Sequence, residues 1–460
     1  MTWRRAAVEP LALAGLLAVA GVLFARSLHT RTNYDEGVYL ASLDALRHGQ
    51  ALGTQVDASQ PPGFYLLLQA IALVFGNGVS EERIGFLLLA LLGLVAAYAI
   101  GRKLAGIAGG LTAAGLLAVT APYPAQAAQI EADTASVVLA LCSIAVLMDA
   151  NGRRWPSVAS GALAAAALSV KLLALSVVAP LVVLLLLRRS AAQGLAFVTG
   201  GIAIGAALAI GYASALGALY DSVVSEHRRA QFLGSIGSNA HRVLLHPLDW
   251  HTPAGVAIPI GIVVAALLCR DANTAALPAW ILASAALLVY QRPLFDHHLV
   301  LIATALAVCG GVGFGAAAER LPRSALAVAT AVFVAAFAGG FVQEHRRLAR
   351  ADKPEPTGVG WAAAALRAHT RPHELVASDL PIVPYLADRR IAGQLIDSSY
   401  VRLFSGTQTT REILDVLARE RIRAVVVGRI YLLKPDLITA LRDRYPRRLA
   451  KEGITLYLAR

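Results

Sequence analysis

The sequence predicts an all-α polytopic membrane protein of about eleven spanning helices, followed by a small α/β domain outside the cytoplasm. Three observations predict it. The chain is 57% hydrophobic and only 15% charged, with mean hydropathy +0.61, too apolar for one water-soluble core. Apolar runs of near-span length recur through residues 1–345. Short basic clusters fall at alternate ends of those runs, as the positive-inside rule requires.

The runs are 11–26, 84–101, 107–121, 133–149, 157–170, 172–187, 194–212, 254–269, 276–290, 298–317 and 323–342. Several are shorter than the ~20 residues of a full span, so their ends are uncertain by a few residues. Arg4/Arg5, Arg102/Lys103, Arg153/Arg154, Arg188/Arg189, Arg270 and Arg320/Arg323 give one consistent threading when all face the cytoplasm. The N-terminus is then cytoplasmic and the C-terminal domain extracytoplasmic, in a multi-pass plasma-membrane protein. The first run reads as an uncleaved helix because further spans follow. Gly63 to Phe75 is apolar but only 13 residues long, and counting it as a span would turn every later basic pair outward. It therefore reads as a juxtamembrane helix on the outer face, with a second from about Gly37 to Arg47. The outer loops are then 27–83, 122–132, 213–253 and 291–297.

Polar residues return at Arg346. Beyond it, Val376, Ala424–Val427 and Ile454–Leu458 read as strands, and 358–369, 409–420 and 435–444 as helices. The expected domains are 1–345 in the membrane and 346–460 outside it. The net charge of +12 does not indicate nucleic acid. Much of it lies in arginine pairs between apolar runs, and no basic face alternates with aromatics. Cys142, Cys269 and Cys309 lie within or beside apolar runs, which is neither a disulfide framework nor a metal site. No Walker A sequence and no glycine-rich turn after a strand is present, which argues against an energy-coupled pump.

Four outer segments carry polar chemistry. Asp35 and Glu36, directly after the first run, are either a proton-accepting pair or a solvated loop in which Asp35 caps the next helix. In the second loop, Glu131 and Asp133 suit an acid/base or metal role, while Asp133 or Thr134 equally suits a helix cap. Lys171 is the only lysine between 157 and 187, placed either to snorkel or to hold a phosphate. The corner Gln291–His298 offers Arg292, His297 and His298. Adjacent histidines on one turn rarely aim at one ion and no third ligand is evident, so phosphate contact is the better reading there. The third loop, from Glu226 through His241-Arg242 to His246, is polar and cationic: it reads either as a flexible loop over the site or as solvated surface, the latter preferred for its individual residues.

Taken in order, these segments resemble the GT-C superfamily of membrane glycosyltransferases, in the branch of protein O-mannosyltransferases and lipid A aminoarabinose transferases. Asp35-Glu36-Gly37-Val38-Tyr39 resembles its first-loop acidic motif. Gln60-Pro61-Pro62-Gly63-Phe64-Tyr65, then Phe75-Gly76 and Ser80-Glu81, resembles its juxtamembrane segment. Glu131-Ala132-Asp133 resembles its second-loop motif, and Lys171 stands where relatives often carry lysine. Gln60 departs from relatives that have lysine before the Pro-Pro pair. The resemblance implies inverting transfer of a sugar from a polyprenyl-phosphate donor to an envelope glycan, lipid or protein on the outer face. It implies Asp35 as general base with Glu36 as runner-up, and Asp133 orienting the acceptor or tuning Asp35. Lys171 would meet the leaving phosphate, supported by Arg292, His297 and His298. It leaves a divalent cation open as cofactor, and suggests acceptor binding for the C-terminal domain. The rival readings are a transporter or lipid flippase, which should show broken helices at mid-membrane, and a non-catalytic assembly or sensing protein.

Overall fold

Backbone polar groups in lipid can be satisfied only within a helix or a closed barrel, and each of the eleven apolar runs folds as helix. The computed structural model describes residues 2–353 and 355–459; the side chains of 2–7 and 323, and with them the orientation signals of Arg4, Arg5 and Arg323, lie outside that description. Six described helices are long and apolar enough to cross a membrane: Val8–His29, Val79–Val119, Ala191–Gly211, Ala272–Tyr290, Asp296–Arg320 and Ser324–Ala351. Shorter apolar helices are Pro62–Phe75, Ala132–Met148, Leu172–Arg188 and Pro253–Leu268. The chain is a polytopic membrane protein. Val79–Val119 contains two of the expected runs, separated where Ala105 (φ −149°) and Gly106 (φ 62°) leave helical geometry. Glycine reaches that positive φ without the steric penalty of a Cβ.

The chain forms two units. The first comprises residues up to Thr30, Ile71–Ile210 and Gly234–Asp352. Its buried core runs through the helices Val79–Val119, Ala132–Met148, Pro253–Leu268 and Val300–Arg320. Small residues set the helix spacing, as expected where lipid removes any hydrophobic drive between helices. A Cβ at Gly313 would lie 1.8 Å from the Gly261 carbonyl oxygen, so Pro253–Leu268 and Val300–Arg320 meet backbone to backbone. The compositional change at Arg346 falls inside the helix Arg323–Ala351, and the second unit resumes at Lys353.

The second unit gathers Arg31–Ala70, Gly211–Leu233 and Lys353–Arg460. Its sheet has four strands, β1 (Ala377–Ser378), β2 (Ala424–Val427), β3 (Arg447–Lys451) and β4 (Ile454–Leu458), in the order β1-β2-β4-β3. β1 and β2 are parallel, while β4 runs antiparallel to both β2 and β3. All four residues of β2 are buried, which explains its unbroken Ala-Val-Val-Val. The helices Thr357–His369, Thr410–Arg419 and Pro435–Arg444 match the expected segments within a residue or two. β3 was not expected: its sequence is Arg-Arg-Leu-Ala-Lys and it is largely exposed, so no apolar alternation marks it. Asp379 fixes the end of β2, accepting N–H bonds from Gly428, Arg429 and Tyr431 at 2.8–2.9 Å.

The helix expected from Gly37 to Arg47 begins earlier, at Tyr34. Asn33 is its cap: Asn33 Oδ1 accepts from the Glu36 N–H (2.8 Å), and the Glu36 carboxylate accepts from the Asn33 N–H (3.1 Å). This reciprocal capping box corrects the reading in which Asp35 caps the helix. The Pro62–Phe75 helix has 14 residues, about 21 Å at 1.5 Å per residue, short of a ~30 Å hydrocarbon core.

Candidate active site

The apolar stretch around Lys171 is interrupted at that residue. The helix Arg154–Val170 ends, Lys171 is extended (φ −151°, ψ 125°), and a 3-10 turn resumes at Leu172. The extended residue turns its side chain inward, placing Nζ 3.1 Å from Asp133 Oδ2. The Asp133 side chain is fully buried and that of Lys171 only 11% exposed. Buried charges persist when paired, so Lys171 does not snorkel. Asp133 stands in the first turn of Ala132–Met148, where the N-cap position belongs to Glu131. Its side chain serves the ion pair, which corrects the reading of Asp133 as a cap. Glu131 is buried, 2% exposed, at that N-cap position.

The corner after Tyr290 completes the cluster. His297 Nε2 lies 4.0 Å from Asp133 Oδ2. The rings of His297 and His298 are perpendicular, with centroids 4.4 Å apart. Gln126 Nε2 donates to the His297 carbonyl (3.0 Å) and its Oε1 accepts from the Thr134 hydroxyl (3.3 Å), tying the second loop to this corner. Asp133 Oδ1 has no hydrogen-bond partner among the described residues. An acceptor so buried and unpartnered is exceptional in a folded protein. Ligand atoms of Asp133, His297 and His298 all lie within 4.8 Å of one another. The two histidines therefore converge with Asp133, a grouping the adjacent-histidine argument from sequence did not foresee. One carboxylate and two imidazoles suit a divalent cation, although Lys171 already shares Asp133.

Arg292 lies over the Tyr290 ring, 5.9 Å from its centroid. Asp296 is exposed and paired with Arg242, which also donates to the Leu294 carbonyl. Asn239 Nδ2 donates to the carbonyls of Val289 (3.2 Å) and Gln291 (2.5 Å). Arg242 and Asn239 thus brace the histidine corner from the helix Ile236–Leu245, and are more than the solvated surface expected. Arg83, also unforeseen, donates to the carbonyls of Leu28 (2.8 Å) and Thr30 (2.7 Å) at the end of the first span.

Asp35 and Glu36 belong to the second unit. Glu36 is buried and committed to the capping box, whereas Asp35 is half-buried and outside it. The segment carrying Asp35 is firmly held. Tyr34 donates its hydroxyl to Asp397 Oδ1 (3.1 Å), and the Arg429 guanidinium lies 4.1 Å above the Tyr34 ring. The Thr32 N–H donates to Glu355 Oε1 (2.6 Å). The Pro-Pro motif is structural glue: Gln60 Nε2 donates to the Tyr39 hydroxyl (2.9 Å), and the Ser59 N–H to the buried Tyr65 hydroxyl (3.0 Å).

A buried ionic hub lies in the same unit. Arg402 approaches Asp57 at 2.8 Å and Glu226 at 3.3 Å, and donates to the Asp397 carbonyl at 2.9 Å. Burial pushes the Glu226 carboxyl up to about 7 against the opposing pull of Arg402. Burial also raises Asp397, opposed by Arg402, with Asp35 adding to the rise. Nothing in the sequence pairs residues so far apart.

The fold is similar to those of solved membrane glycosyltransferases. The ArnT structure from Cupriavidus metallidurans bound to undecaprenyl phosphate superimposes with TM-score 0.68 and 15% identity, covering 97% of each chain. The archaeal oligosaccharyltransferase AglB from Archaeoglobus fulgidus, in complex with an inhibitory peptide and a dolichol-phosphate, gives TM-score 0.57 and 11% identity over 90% of this chain and 69% of that one. Residues 59–212 match the family model of dolichyl-phosphate-mannose-protein mannosyltransferases. No protein of curated function matches the chain by sequence.

Proposed function

We propose that the chain is an inverting glycosyltransferase that moves a sugar from a polyprenyl-phosphate donor to a cell-envelope acceptor on the outer face of the membrane. The observation that carries this reading is the buried Asp133–Lys171–His297 cluster, with its unpartnered carboxylate oxygen. A lysine held in a low-dielectric pocket is a preorganised cation for charge that develops on a departing phosphate. Asp133 fixes the Lys171 ammonium and the His297 ring. It acts by positioning them. Asp35 takes the proton of the acceptor hydroxyl, because its neighbour Glu36 is occupied by the capping box. The bound lipid of the ArnT structure and the family match over 59–212 support a polyprenyl-phosphate donor.

In a second reading, Asp133, His297 and His298 hold a divalent cation, which would supply Lewis-acid charge toward the same phosphate. The eleven-span threading, with the N-terminus cytoplasmic, puts the expected loops on the outer face.

The experiment is sugar transfer by purified protein in lipid nanodiscs, supplied with a panel of polyprenyl-phosphate sugars. Wild type should turn over at least one donor, and Asp35→Asn should lose on the order of 10²–10⁴-fold in kcat. Undiminished turnover by Asp35→Asn would refute the base assignment. Solute flux without transfer from any donor would favour a transporter.

A further inference from the structure

The turn after β2 carries a cation that no carboxylate claims. Asp379 pins the backbone of this turn by accepting from the N–H groups of Gly428, Arg429 and Tyr431. The Arg429 side chain is exposed and lies 4.1 Å above the Tyr34 ring. Among the described residues its guanidinium makes no hydrogen bond and no ion pair. The neighbouring acids are engaged elsewhere, Asp379 by those backbone N–H groups and Asp397 by the Tyr34 hydroxyl (3.1 Å). A guanidinium set against an aromatic face keeps its N–H fork available for a phosphate or carboxylate. Tyr34 immediately precedes Asp35, so the free fork is held beside the residue proposed as base.

The residues that follow Arg429 expose an apolar surface. In the 3-10 turn Ile430–Leu433, Ile430 and Tyr431 are buried, while Leu432 and Leu433 are 49% and 57% exposed. Lys434 Nζ lies 5.0 Å from the Phe404 ring centroid, which joins this turn to the helix Tyr400–Ser405. From that helix Arg402 turns inward to Asp57 and Glu226. Tyr400 and Phe404 share another face, as residues four apart on a helix do, with ring centroids 4.6 Å apart and Tyr400 exposed. All of these residues belong to the second unit. Leucines and an aromatic ring left in water beside a free cation have the chemistry of a surface that meets lipid.

We infer that Arg429 and this apolar surface bind an acidic lipid as the acceptor, an inference that rests on the glycosyltransferase reading. The lipid's phosphate meets the Arg429 fork beside Asp35, and its hydrocarbon covers Leu432, Leu433 and Tyr400. A neutral glycan would leave the fork without an anion. A water-soluble polyanion would match the fork but leave the leucines in water.

The test is calorimetric titration of the full-length protein in phosphatidylcholine nanodiscs, with empty nanodiscs as the blank. The probes are dihexanoyl phosphatidylglycerol, dihexanoyl phosphatidylcholine, glycerol phosphate and a short polyaspartate peptide. The phosphatidylglycerol should bind with Kd tighter than about 1 mM, and at least about tenfold tighter than each of the others. Arg429→Gln should reduce it to the phosphatidylcholine level. The double variant Leu432→Ser/Leu433→Ser should weaken it about tenfold, each protein being measured at a temperature where it is folded. Undecaprenyl-phosphate binding should be unchanged in both variants. Absence of phosphatidylglycerol binding, or equal binding by wild type and Arg429→Gln, would overturn the inference. So would glycerol phosphate or the peptide binding as tightly as the lipid, or either variant losing undecaprenyl-phosphate binding. Arg429-dependent lipid binding without sugar transfer from any donor would instead count against the transferase reading and leave the lipid site standing.

Discussion

Asp133 and Lys171 are opposite charges 3.1 Å apart in a buried setting, so neither can be changed without exposing the other. Lys171→Ala should lower kcat/KM for the donor by about 10²-fold or more, with Lys171→Arg recovering part of it. Asp133→Asn should act through the same lysine, so steady-state kinetics of the double variant should show far less than the product of the single losses. Glu226 gives a pH signature. Its folded pKa of about 7 exceeds the ordinary 4.5, so its contribution to stability is fully present below 4.5 and is lost as pH rises through 7. Hydrogen exchange of the 213–233 segment should accelerate across that window, beyond its intrinsic pH dependence, and Glu226→Gln should abolish the extra acceleration. At this scale the sequence named Asp35, Asp133, Lys171, His297 and His298. It ranked Asp35 above Glu36 only by resemblance, and the capping box that engages Glu36 depends on Asn33 being the cap. Nor could it show that His297 and His298 converge with Asp133, which follows from the 3-10 turn Asp296–Leu299 standing beside the Ala132–Met148 helix.

Local elements carry this chemistry at a stability cost that can be measured. Asn33→Ala removes the cap of Tyr34–Arg47 and should destabilise that helix by about 1 kcal/mol, read as faster amide exchange in its first turn. A larger effect belongs to Arg402, which compensates Asp57 and Glu226 and anchors the Asp397 segment. Arg402→Leu leaves buried carboxylates without their cation and should cost about 3–5 kcal/mol, seen as a lower melting temperature. Helices were legible wherever apolar residues ran together, because lipid forces an apolar segment into helix. β3 was not. As an exposed edge strand rich in arginine it has no periodic signal, and its one local clue is the two-residue turn Glu452-Gly453, both residues at positive φ. The Arg402 hub was equally hidden, since it joins three segments far apart in the chain.

The whole molecule was the most legible level, because composition and basic pairs act over the entire chain. Its threading makes a topological prediction. Cysteines placed at the exposed positions Ser80 and Asp296 should label from the outside, and one at Arg102 should not. Labelling at Arg102 alone would reverse the threading and with it the side on which transfer occurs. The two-unit division is the feature that no run of residues announced: Arg31–Ala70 and Gly211–Leu233 pack with the C-terminal portion, so the acidic first-loop motif belongs to the unit that contains the sheet. The central claim is that the Asp133–Lys171–His297 cluster receives the donor's phosphate, and equilibrium binding of undecaprenyl phosphate in nanodiscs tests it most directly. Wild type should bind saturably. Lys171→Ala, whose melting temperature falls because Asp133 loses its partner, should bind at least about tenfold more weakly, a loss of about 1.4 kcal/mol, when compared at a temperature where both proteins are folded. Equal affinity in the two proteins would contradict it.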